Sequence, residues 1–162
     1  MAKFDLIGLG NALVDSEFHV TDSFLKKKGF EKGTMHLVDS DEQTNLLNSL
    51  EKEYGKPSLA CGGSATNTIF AASILGSSCS YICKVGNDKN GNFYLDDLSD
   101  AGVNIDHSVM LDSNINSGTC TVMVSPDAER TMSTCLGISS DLSATDVALS
   151  LIHISEPTRH RL

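Results

Sequence analysis

The chain has 162 residues, a net charge of −9, and 40% hydrophobic against 20% charged residues, the balance of an ordinary globular protein with room for one real core. Its acidic residues are scattered, which excludes the basic face that a nucleic acid or an anionic membrane surface needs. The longest apolar stretch, around Ile69 to Leu75, is far too short to span a bilayer, and the start MAKFDLIGLGNALVD lacks the layout of a signal peptide. The five cysteines (Cys61, Cys79, Cys83, Cys120, Cys135) are odd in number and form no CxxC pair, so a reducing cytoplasm with thiols in the core is expected.

In chain order, Lys3 to Gly10 is short, nearly all apolar after Asp5, and ends at glycine. It reads as a strand buried on both faces, as in a parallel sheet. Val14 to Val20 alternates more loosely and reads as a second strand, with Lys32 to Val38 returning to pair with it. Between them, Lys26-Lys27-Lys28 before Gly29 reads as a solvated helix end. Ser40, three residues before Gln43, predicts a capping box. The helix that follows carries Leu46, Leu47, Leu50 and Tyr54 on one face and stops at Gly55 and Pro57.

Cys61-Gly62-Gly63-Ser64 is a turn opening another helix, with Ala65, Ile69, Ala72 and Leu75 on its buried side and Gly76 at its end. Cys79 to Val85 reads as a strand. Asp88 caps a helix that runs to about Ala101 and stops at Gly102. Gly118 to Val124 and Arg130 to Cys135 form a hairpin around Ser125-Pro126-Asp127-Ala128. Strands and helices alternating at this spacing indicate an α/β sandwich with a parallel sheet.

The last residues are set apart. Leu149 to Arg159 read LSLIHISEPTR, which looks like a transposon-based sequencing adapter translated in frame. Residues 149–162 are therefore expected to be a non-native tail on a body of residues 1–148, and the end of the chain an accident rather than the native terminus.

Three places invite a site. Gly8-Leu9-Gly10 looks like a dinucleotide fingerprint, but its third small residue would fall at Leu13, so that reading is rejected. Gly10 is instead a strand end where backbone approaches something closely. At Gly62-Gly63-Ser64-Ala65-Thr66-Asn67, two glycines at a helix entry let a ligand touch backbone amides. The Asn67 side chain, one turn in, leans back toward the helix start, where it can reach a polyol. Taken alone, such a motif is more often a cap with a packing glycine. Asp15, just past the first strand, can accept two hydrogen bonds from adjacent hydroxyls. From position alone it reads at least as well as a solvated turn aspartate.

The segments DLIGLGNALVD, KGTMHLVD, GGSATNTIFAASILG, KVGNDKNGNFYLDDLSDAGV and SPDAERTMSTCLG together resemble the ribokinase-like (PfkB) carbohydrate kinase family, most closely its bacterial adenosine-kinase-like members. They follow that family's order over nearly all of residues 1–148. The resemblance implies a ribokinase-like parallel-sheet sandwich, here partial, with a small β-sheet lid from residues of about 13–38 and 107–135. It implies that Asp15 holds two vicinal ribose hydroxyls with Asn11 on the same loop. Gly62, Gly63 and Asn67 then bind the sugar from the opposite side, and Met35 lines the pocket from the lid. Arg130 stands where the family places an arginine near the transferring phosphate, although a solvent-facing hairpin arginine fits that position equally. Ala128 replaces the glycine usual in that turn.

By the same resemblance the parent protein is an ATP- and Mg2+-dependent kinase acting on a hydroxymethyl group of a nucleoside or sugar, adenosine first. A ribokinase- or fructokinase-type sugar kinase and a non-catalytic sugar- or nucleoside-binding remnant are the alternatives. The family's aspartate base, on a glycine-rich GAGD-type segment, and its ATP-binding strands have no counterpart in this sequence, so no catalytic residue is assigned and the chain alone is expected to be inactive. The implied partner is a small molecule, with a homodimer through the lid admitted.

Overall fold

The computed structural model describes residues 4–105, 109–111 and 114–147; the expected tail at 149–162 lies outside them. Helices and strands alternate through two connected layers, each built around its own core.

The first layer is parallel. Strand β1 (Leu6–Leu9) pairs in parallel with β5 (Cys79–Ile82), and β6 (Lys84–Gly86) pairs in parallel with β7 (Val109–Leu111). The single expected strand Cys79 to Val85 thus divides at Cys83. Helices α3 (Ser64–Ile74) and α4 (Lys89–Asp100) flank this layer, and Ile69, Tyr81, Val85, Tyr94 and Leu98 fill the space between them. On the other side Phe4 and Ile82 pack with Leu142 and Val147, held by Lys84, whose Nζ reaches Asp146 at 2.8 Å and the Asp141 carbonyl at 2.9 Å. β1 is less enclosed than its composition suggests: Leu6 and Leu9 are exposed, since β5 is its one strand partner among the described residues.

The second layer is a five-stranded mixed sheet in the order β3-β9-β8-β2-β4. β2 (Leu13–His19) lies between β4 (Ser58–Gly62), antiparallel, and β8 (Gly118–Val124), parallel. β8 and β9 (Arg130–Cys135) form the predicted hairpin, and Ala128 in its turn holds φ 65°. A left-handed alanine costs roughly 1–2 kcal/mol, a cost that the glycine expected there would avoid. β3 (Met35–Leu37) pairs in parallel with β9 and not with β2, because β8 and β4 already occupy both edges of β2. Nor does all of 107–135 join this sheet, since β7 (Val109–Leu111) pairs with β6 instead.

One face of the five-stranded sheet is covered by α1 (Asp22–Lys28) and α2 (Ser40–Tyr54), which bury Phe18, Phe24, Leu25, Leu46, Leu50 and Met123. Alternation along the strands sends their other side chains to the opposite face. The α2 cap is Asp39 rather than Ser40: its carboxylate accepts from the Glu42 N–H at 2.8 Å, and Glu42 accepts from the Asp39 N–H at 3.2 Å. Asp39→Ala is expected to lower stability by about 1 kcal/mol, read as a shifted urea midpoint with unchanged slope. Leu75, expected inside, is 87% exposed, because α3 ends at Ile74 and Leu75 is already its cap, beyond the part resting on β1 and β5. No helix among the described residues is long and apolar enough to cross a membrane.

Candidate active-site cleft

The uncovered face of the five-stranded sheet meets the start of α3 across a cleft of ≈ 670 Å³. Asn11 comes from the β1–β2 connection, Asp15 from β2, Met35 from β3, Gly63 and Asn67 from the entry of α3, and Arg130 from β9. These six predicted residues, far apart in sequence, line one cavity. Gly62 does not line it. It is buried behind Asp15, and a Cβ there would overlap both carboxylate oxygens. Gly62 is thus glycine so that the carboxylate can lie flat against backbone. Gly63 has φ 102°, and a Cβ on it would meet the Asn11 carbonyl at 2.9 Å.

The cleft lining is of two chemical kinds. Leu13, Met35, Leu37, Met132 and Leu136 supply an apolar part, and Asn11, Asp15, Asn67 and Arg130 a polar one. Met35 and Leu37 are 55% and 64% exposed, so the cleft is open where β3 lines it. Burial pushes the Asp15 carboxyl up from 3.8 to about 6, against the pull of Arg130 and with a smaller push from Glu17. Arg130 stands 4.0 Å from Glu17, both side chains being well exposed. Cys120, opposite Asp15 in the ladder, accepts from the Thr134 hydroxyl at 3.3 Å, and burial raises its thiol. It is an inert part of the floor.

Sequence reading missed Tyr81, which also lines the cleft although it is fully buried. It explains the Gly8-x-Gly10 pattern. A Cβ at Gly8 would meet Ile69 at 2.5 Å and the Tyr81 ring at 3.0 Å, and one at Gly10 would meet the Tyr81 hydroxyl at 3.0 Å. The glycines make room for a tyrosine and for α3, which accords with rejecting a dinucleotide fingerprint. The signal was the adjacency of a buried aromatic strand to a glycine-rich one, and it needed the β1–β5 register to be seen.

Known proteins agree with this architecture. The pfkB family carbohydrate kinase profile matches residues 34–156, which covers most of the chain. Adenosine kinase 2 of Arabidopsis thaliana is 30% identical over 122 residues, 74% of this chain and 34% of that protein. A ribokinase of Dictyostelium discoideum is 36% identical over 81 residues, 50% of this chain and 25% of that protein. Among solved structures, the adenosine kinase from Sinorhizobium meliloti superposes with a TM-score of 0.83 at 34% identity, covering 93% of this chain and 45% of that one. A probable sugar kinase from Rhizobium etli CFN 42 gives 0.83 at 30% identity, covering 94% and 44%. The chain therefore spans a quarter to a third of those two sequence relatives and under half of these solved chains. The ribokinase-like fold is shared throughout, and the chain belongs to the pfkB family of carbohydrate kinases.

Proposed function

We propose that the parent protein transfers a phosphoryl group from ATP to the hydroxymethyl group of a nucleoside, adenosine foremost, and that this chain supplies the acceptor-binding cleft. The observation that carries the reading is the half-buried Asp15 carboxylate in a cleft that also presents the Asn11 and Asn67 amides and the aliphatic side chains of Leu13, Met35, Leu37 and Met132. A carboxylate aimed into a partly dry cleft takes two adjacent hydroxyls as donors. The neighbouring side-chain amides both donate and accept, which suits the remaining oxygens of a sugar. Met35, Leu37 and Met132 offer thioether and aliphatic contact to a flat, weakly polar ring. Arg130, permanently charged and on the rim, is the group on this chain suited to steer a polyphosphate.

ATP and Mg2+ are the co-substrate and metal of this proposal. Among the described residues no three His, Cys, Asp or Glu side chains converge to hold a metal, so no step through it is assigned to this chain. Asp15 is assigned to holding the acceptor, and the general base to a segment outside this sequence.

The sugar-kinase alternative draws on the resemblance to the Dictyostelium ribokinase. A bare pentose or hexose leaves much of the aliphatic lining without contact, which favours the nucleoside. Calorimetric titration of the 162-residue chain separates the two. Adenosine should bind at least roughly tenfold more tightly than ribose or fructose, since burying even one or two methylene-sized contacts gives that much. Tighter binding of a free sugar would overturn the nucleoside assignment. The same sample, given adenosine, ATP and Mg2+, should form no AMP; measurable turnover would show that the base lies within this chain.

A further inference from the structure

Beneath the cleft lies a chain of buried hydroxyls. Thr66, Tyr81 and Tyr94 are each fully buried. Thr66 Oγ1 donates to the Tyr81 hydroxyl at 2.9 Å, and the Tyr94 hydroxyl lies in close hydrogen-bond contact with Thr66 Oγ1 and 3.3 Å from the Gly62 carbonyl. With the Thr66 proton directed to Tyr81, the Tyr94 proton is left to serve Thr66 and the Gly62 carbonyl together. Burial raises both phenols, so they remain protonated donors at neutral pH.

The same few atoms touch the cleft wall from behind. A Cβ on Gly63 would stand 3.2 Å from Thr66 Oγ1, and one on Gly62 would overlap the Asp15 carboxylate. The Gly63 carbonyl accepts from the Asn67 N–H at 2.9 Å, so the first turn of α3 hangs from this peptide segment. A peptide unit is rigid and planar, and fixing its carbonyl fixes its neighbours. Hydrophobic packing alone would be satisfied by Val at 66 and Phe at 81 and 94. A chain of three buried hydroxyls that ends on one backbone carbonyl, through Tyr94, specifies an orientation instead.

We propose that Thr66, Tyr81 and Tyr94 are positioning residues, whose hydroxyl chain fixes the Gly62–Gly63 segment and through it the placement of Asp15, Gly63 and Asn67 in the cleft. The use of that placement, holding a nucleoside, rests on the function proposed above; the placement itself does not.

The test uses the 162-residue chain, labelled with 13C and 15N, as wild type, Thr66→Val, Tyr94→Phe and Thr66→Ser. Two quantities are read: the titration midpoint of the Asp15 carboxyl carbon and the affinity for adenosine. The wild-type carboxyl should titrate at about 6. In Thr66→Val and Tyr94→Phe the loosened segment should admit water, moving the midpoint toward the ordinary carboxylate range and weakening adenosine binding roughly tenfold. Thr66→Ser, which keeps the hydroxyl, should restore both. Lower thermal stability with an unchanged midpoint and affinity would overturn the proposal and leave the three residues as core packing. Should Tyr94→Phe not fold, the Thr66→Val and Thr66→Ser pair makes the same comparison. If wild type binds neither adenosine nor ribose while the midpoint still moves, the nucleoside reading falls and the positioning role stands.

Discussion

Asp15→Asn is expected to bind adenosine on the order of a hundredfold more weakly than wild type while being the more stable protein above pH 6. The binding loss follows from replacing two charge-assisted hydrogen bonds by neutral ones. The stability gain follows from the raised carboxyl. Burial holds Asp15 near 6 when folded, against 3.8 in the unfolded chain. A raised acid favours the folded state fully below about pH 4, and that contribution is lost as pH rises through about 6. The full shift corresponds to roughly 3 kcal/mol. Water reaches this half-exposed side chain, and screening reduces the difference to about 1 kcal/mol. Thermal melts of both proteins at pH 4 and pH 8 check this: the mutant should melt higher at pH 8, and the gap should close at pH 4. Ligand affinity in the wild type should also fall below pH 6, because hydroxyl donors favour the ionised form. Equal melting at both pH values would mean that Asp15 is solvated and ordinary.

Gly91→Ala and Gly62→Ala should fail in different ways. At Gly91, in the first turn of α4, a methyl group would overlap the Gly86 carbonyl oxygen and stand 2.8 Å from Ser117 Oγ. Both neighbours are fixed: the Ser117 hydroxyl accepts from the Gly86 N–H at 2.9 Å, and the Ser117 N–H donates to Asp88 at 2.7 Å. Backbone cannot retreat there, so the loss should be about 3 kcal/mol or more, a Tm lower by roughly 6–12 °C. At Gly62 the obstacle is the Asp15 side chain, which can swing away. The variant should fold with a modest loss yet bind adenosine no better than Asp15→Asn. Circular dichroism melts and calorimetry distinguish the two results; a Gly62→Ala protein with native affinity would detach Gly62 from Asp15.

Elements with local signals were legible from sequence. The Asp88 cap and the Gly102 stop bound α4 closely, and Pro126-Asp127 marks the β8–β9 turn. β4 escaped notice because Ser58–Gly62 is an edge strand whose first three residues are exposed, bracketed by Pro57 and Gly63. Such a strand needs neither alternation nor a hydrophobic face, only the ladder offered by β2. The partner of β3 was equally hidden. Pairing is decided by which edges are vacant, and residues 118–135 take one edge of β2 and offer their own to Met35–Leu37. In the cleft, the polar residues and Met35 were carried by motif, while Thr66, Tyr81 and Tyr94 look like ordinary core in a linear reading. Their hydroxyls acquire meaning only once three elements bring them into one chain that ends on the Gly62 carbonyl.

The parallel pairing of β2 with β8 also bears on how the protein is made. Leu13 meets Gly118, and His19 meets Val124, so the ladder joins segments about a hundred residues apart. At common elongation rates that interval is roughly 5–20 s on the ribosome. During that time one edge of β2 has no strand to accept its hydrogen bonds, and closing so long a loop is slow even after release. The β2 edge is thus most open to holdase chaperones and to stray strand pairing before residue 124 emerges, and the floor of the cleft cannot form until then.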